Sequence, residues 1–181
     1  SVKPVRAEIN PDGRILDMNR LNNRTGLVRT KIEFDNTIMS IAPLNAYNLR
    51  WRPSFWYTDE GGFNLGYKFT GSYLDDLSRF TFYQLFNTRE EKFDYDVAVS
   101  HNMYKISPIT SFDARAYTLE GRKGYALVLN KGFRNSYTTP PNHNLHVQYS
   151  FSELTNKEYL LTPQSWDEGR LHRIIAGYTY F

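Results

Sequence analysis

The chain of 181 residues contains no cysteine, which excludes disulfide staples, thiolate zinc sites and cysteine nucleophiles. It has no apolar run approaching the roughly 18 residues of a spanning helix. The opening SVKPVRAEI has no apolar core of a signal peptide, so an exported chain is expected to have had its signal removed or to carry it upstream in a larger parent. Block charge is also missing: the formal net charge is +3, with Lys and Arg scattered singly among acids. Nucleic acid is therefore not an expected partner.

What is abundant is aromatic. Fourteen Tyr, 12 Phe and three Trp make 16% of the chain, a composition suited to half-buried strands. FNLGYKFTGSYL, Phe63 to Leu74, sets Phe63, Leu65, Tyr67, Phe69 and Tyr73 on one parity and Asn64, Lys68, Thr70 and Ser72 on the other. The same beat recurs near Asn48–Thr58, Ser78–Asn87, Lys92–His101, Thr110–Leu119, Gly124–Phe133, Asn144–Glu153 and Leu171–Phe181. About eight segments of about ten residues, joined by turns such as DEGG and EGRKG, predict an all-β antiparallel up-and-down barrel, complete or part of a larger one. Residues 1–44 differ. VRAEI and RILDM flank the turn NPDG, and GLVRTKIEF alternates, so this part reads as a small β-hairpin module on the periplasmic side, with the barrel over 45–181.

Alternation alone does not say which parity faces out. Three asymmetries favour lipid outside. The wet parity holds small residues (Gly66, Ser72, Ala98, Ala126) and charges of both signs. Arg50, Arg52, Lys68, Asp94, Asp96 and Asp113 are the expected interior charge network, with the arginines meeting those aspartates and Lys68 pointing to an acid. The apolar parity gathers Tyr and Trp near strand ends, as membrane barrels do at the interface. The chain also ends in GYTYF, similar to the C-terminal signal of bacterial outer-membrane proteins. Phe63, Leu65, Tyr67, Phe69, Tyr73, Val97 and Val99 are then the expected lipid-facing residues. Two other readings stay open: a soluble β-barrel or sandwich whose apolar parity binds a small apolar ligand, and an outer-membrane lipid hydrolase using interior residues.

INPDGRILDMNRLNN followed by WRPSFWYTDEGGFNLGYKFTGSYL resembles the C-terminal region of large Bacteroidota outer-membrane proteins with a gluzincin metallopeptidase domain similar to membrane alanyl aminopeptidase. The resemblance covers the first 75 or so residues. It implies that a parent chain carries the zinc peptidase and that this part anchors it in the bacterial outer membrane. The family's HExxH motif is absent from this sequence. His143 and His146 stand as HNLH without the intervening Glu, beside only His101 and His172, so no catalytic residue carries over.

The remaining constellations are weak. His146, Ser150 and Glu153 contain the groups of a hydrolytic triad, but an i to i+4 spacing on a strand separates His146 from Ser150 by about 13 Å. Glu90, Glu91, Asp94 and Asp96 lack calcium-loop spacing, and Arg79, Arg89 and Lys92 nearby favour a charge network. Asp75 and Asp76 mark a turn. Lys131 to Arg134, KGFR, is a basic cluster that can touch lipopolysaccharide phosphates. No catalytic residue, metal or cofactor is assigned. The expected partners are membrane lipid, lipopolysaccharide and other outer-membrane proteins, and the expected role is structural anchoring.

Overall fold

A computed structural model describes residues 7, 9, 20–23, 25, 27–36, 44–59, 61–73, 77–103, 109–134, 142–157, 159–160, 162–165 and 167–180. The strands are β1 (Thr30–Phe34), β2 (Tyr47–Thr58), β3 (Gly62–Tyr73), β4 (Ser78–Asn87), β5 (Lys92–Asn102), β6 (Thr110–Leu119), β7 (Arg122–Phe133), β8 (His143–Leu154) and β9 (Gly169–Tyr180). Short 3-10 turns lie at Arg20–Asn22 and Pro163–Ser165. The eight alternating segments of the sequence correspond to β2–β9. The NPDG turn lies outside the described residues, as do Asp75 and Asp76.

All nine strands form one sheet in chain order. β2 to β9 pair antiparallel with their neighbours, giving the expected all-β meander. β1 departs from expectation. It pairs parallel with β2 over Tyr47–Trp51, so the sheet begins inside the segment read as a separate hairpin module.

The tight connections 59–61, 88–91 and 120–121 share one rim with the longer 155–168; the start of β2 and the end of β9 lie at the other. At 120–121, Glu120 (φ 45) and Gly121 (φ 72) are both left-handed, the geometry of a two-residue type I′ hairpin. A Cβ on Gly121 would also sit 2.6 Å from the Asn156 carbonyl oxygen. That close approach lets Thr155 N and Asn156 N donate to Gly121 O, which fixes the start of the long connection on this rim.

The sheet is strongly curled. β2 and β6 are four strand positions apart, about 19 Å in a flat sheet at about 4.8 Å per step. Yet Trp56 Nε1 near the end of β2 donates to Glu120 Oε1 just after β6, at 3.3 Å. Asn87 Nδ2 at the end of β4 likewise reaches Tyr159 Oη beyond β8, at 3.0 Å. Both contacts span the parity of Asn64, Lys68 and Asp94, so that parity is concave. Gly66 permits part of the bend: any Cβ there would lie 1.9 Å from the Gln84 carbonyl oxygen on β4.

Among the described residues β9 pairs only with β8, so the meander is an open sheet with a seam between β9 and β2. The edge of β2 shows why that ladder is not continuous. β1 already occupies Tyr47–Trp51. Trp51 O accepts from Asp35 N, so the odd residues of β2 turn their amides towards the seam, and Pro53, next in that series, has no N–H to give.

Candidate membrane interface and polar interior

The register places each side chain on one face. The convex face carries Trp51, Phe55 and Tyr57 of β2, then Phe63, Leu65, Tyr67 and Phe69 of β3, and continues through Phe82, Tyr95, Val97, Leu127, Val147 and Ile174. These apolar groups are open to the surroundings: Phe55 is 76% exposed and Phe63 56%. Across β2–β9 no Asp, Glu, Lys or Arg interrupts the convex face between the rims. Lys123, Glu153 and Arg170 stand at the tight-turn rim, and Lys131 near the other, over the Phe133 ring. Gln84, a polar residue within the band, is satisfied by the Tyr67 hydroxyl. Aromatic pairs run across the whole band, with Tyr57 against Phe63 at one rim, Phe69 against Phe82 and Tyr125 against Phe151 in one row nearer its middle, and His143 against Tyr180 at the other rim. Twelve-residue strands such as β2, β3 and β7 extend about 40 Å, and a tilt of about 40° leaves about 30 Å of height, the thickness of a hydrocarbon core.

Of the expected lipid-facing residues, Phe63, Leu65, Tyr67 and Val99 are exposed and Phe69 and Val97 partly so. Tyr73 is the exception and does not face outward. It is 1% exposed, buried against the N-terminal segment, where its hydroxyl donates to Leu44 O at 3.0 Å and accepts from Arg20 N at 2.8 Å. The alternation is unchanged at Tyr73; what differs is that non-adjacent chain covers this end of β3.

The concave face holds all six residues of the expected charge network, with different pairings. Arg50 and Arg52 approach Asp35 at 3.9 Å each, rather than Asp94, Asp96 or Asp113. Asp96 instead takes a two-pronged pair from Arg115, at 2.9 and 2.8 Å. Lys68 lies over the Tyr83 ring rather than against an acid. Asp94 accepts from Glu120 N, and Asp113 from Asn130 Nδ2. Cross-strand neighbours decide these partners: Ala98 faces Arg115, one step diagonally from Asp96, and β1 delivers Asp35 beside β2.

The interior at the tight-turn rim is filled by a polar cluster that the sequence did not disclose. Asn64 and Asn87 are fully enclosed. Asn87 Oδ1 accepts from Arg89 N and Glu90 N, Asn156 Nδ2 donates to Glu90 Oε1 at 2.8 Å, and Trp56 bridges to Glu120. Burial, then the hydrogen bond and charge of Glu90, hold the Tyr159 phenol well above the usual tyrosine range. Asn, Tyr and Trp give no periodic signal for such a site, because their partners come from connections four strands away.

Comparisons with family models, curated proteins and solved structures return no match. His146 and Ser150 share the concave face, but Glu153 points to the convex side and pairs with Lys123 and Arg170 at 3.2 and 3.3 Å. His146 Nδ1 instead meets Asn130 Oδ1 at 2.7 Å, so the triad acid is absent from that side. Among the described residues no group of three His, Asp or Glu is placed to hold a metal ion. No helix among the described residues is long and apolar enough to cross a membrane.

Proposed function

We propose that this chain is the wall of an outer-membrane β-barrel whose role is structural anchoring, with no reaction of its own. The observation that carries the reading is the inverted amphipathicity of the curled sheet. Its convex face is apolar, rich in aromatics and uncharged between the rims, while its concave face holds Arg50, Arg52, Lys68, Asp94, Asp96, Asp113 and Arg115. Water solvates the concave groups, and only lipid makes the convex face favourable. A soluble ligand-binding barrel needs the opposite arrangement, with the apolar parity lining its cavity.

The resemblance of the first 75 or so residues to gluzincin-containing Bacteroidota proteins supports a more specific role. On that reading the barrel tethers an upstream zinc peptidase to the outer membrane and contributes none of its ligands. Lipid and lipopolysaccharide are the immediate partners, with KGFR, Lys131 to Arg134, the basic cluster on the rim opposite the tight turns.

The reading is tested by refolding the chain in detergent and in lipid vesicles. Folded material is expected to need detergent or lipid for monodispersity, to shift in gel mobility on heating, and to have Trp51 fluorescence quenched by brominated acyl chains. A monodisperse, structured sample in plain buffer with no heat shift would rule the membrane role out.

A further inference from the structure

The convex face is not uniformly bulky. On β6 it presents small residues, and the cross-strand row Val97–Ala116–Tyr125–Phe151 dips at Ala116. The next row towards the tight-turn rim, Tyr95–Thr118–Lys123–Glu153–Arg170, dips again at Thr118. The result is a groove of about 380 Å³ running along β6, floored by Ala116 and Thr118 and walled by Tyr95 and Val97 on one side and Tyr125 and Phe151 on the other. Its lining is almost wholly apolar.

The mouth of the groove is charged. Lys123 lines it, and Glu153 is shared between Lys123 Nζ and Arg170 Nε at 3.2 and 3.3 Å. Two cations on one carboxylate leave one net positive charge, on side chains that remain 51% and 70% exposed. This charge sits at the rim, with Lys123 on the groove and Arg170 two strands away across Glu153, and the open apolar groove runs from Lys123 towards the middle of the band.

Resting on the membrane reading above, we infer that the β6 groove is a binding site for one acyl chain of an anionic phospholipid, with its phosphodiester held by Lys123 and Arg170. The single net charge matches the single negative charge of a phosphodiester. The groove is one strand of small residues wide, between Tyr95 and Val97 on one side and Tyr125 on the other, which suits one acyl chain. Tyr125 and Phe151, stacked at 5.3 Å between ring centroids, form a firm wall and keep the groove open.

The test uses the full chain folded in detergent with equal phosphatidylglycerol and phosphatidylcholine, read by native mass spectrometry. Wild type is expected to retain one phosphatidylglycerol in preference to phosphatidylcholine. Ala116→Trp, which fills the floor from the outside, is expected to lower the retained fraction at least roughly tenfold while keeping the heat-shifted gel band. The double variant Lys123→Gln, Arg170→Gln is expected to keep a lipid but lose the headgroup preference. No retained lipid in wild type, equal retention in Ala116→Trp, or a protein dimer in place of the lipid overturns the groove assignment while leaving the barrel reading intact. A chain that is folded and monodisperse without detergent defeats the membrane reading itself, and the groove with it.

Discussion

Tyr73 belongs by parity with the lipid-facing aromatics, yet its hydroxyl serves two backbone groups of the N-terminal segment. Tyr73→Phe leaves the Leu44 carbonyl and the Arg20 amide short of a partner and is expected to cost about 2 kcal/mol, measurable by urea unfolding in detergent micelles. Tyr159 gives a pH signature. Its folded phenol is held above the ordinary value of 10.0, so below that pH both folded and unfolded states keep the proton and nothing is lost. As pH rises past the ordinary value the unfolded chain ionises first, and stability falls. Alkaline unfolding curves of wild type and Tyr159→Phe are therefore expected to converge in slope near neutrality and separate above about pH 10, with the variant losing less. Neither role is legible in the sequence, where Tyr73 reads as lipid-facing, because each residue acts through a partner brought from a distant segment.

At the scale of elements, alternation located β2–β9 closely, since a period of two is a backbone property and needs no tertiary information. β1 is legible as an alternating segment but its parallel pairing with β2 is not, because alternation carries no pairing information. Gly66 shows the same limit. It reads as one small residue on a wet parity, but the neighbouring β4 backbone leaves no room for a Cβ. Gly66→Val is expected to destabilise by about 3 kcal/mol and to weaken the heat-shifted gel band, whereas the same change at Gly169, where nothing lies within 4 Å, is expected to leave that band intact.

For the whole molecule, the seam between β9 and β2 governs how the sheet meets lipid. In lipid, each unpaired backbone group costs several kcal/mol, which favours closing β9 against the free stretch of β2, Arg52–Thr58. The curl already brings chain segments four strands apart into hydrogen-bond contact, and β2 and β9 run antiparallel in the meander. Since the chain has no cysteine, single cysteines placed within 52–58 and within Gly169–Tyr180 give a clean test. Oxidation in vesicles is expected to cross-link a set of pairs that follows one antiparallel register; cross-linking only between molecules would mean that the seam is covered by another strand.

The order of residues was sufficient to determine the strands, their two faces and the absence of cysteine chemistry, because these follow from side-chain type and a period of two. It left open which face is convex. That was decided by curvature, through Trp56 reaching Glu120 and Asn87 reaching Tyr159, and the same curvature chose the ion pairs. The physical reason is range: alternation is set by each residue and its immediate neighbours, whereas the sign of a sheet's bend depends on contacts between residues 64 and 72 positions apart in the chain.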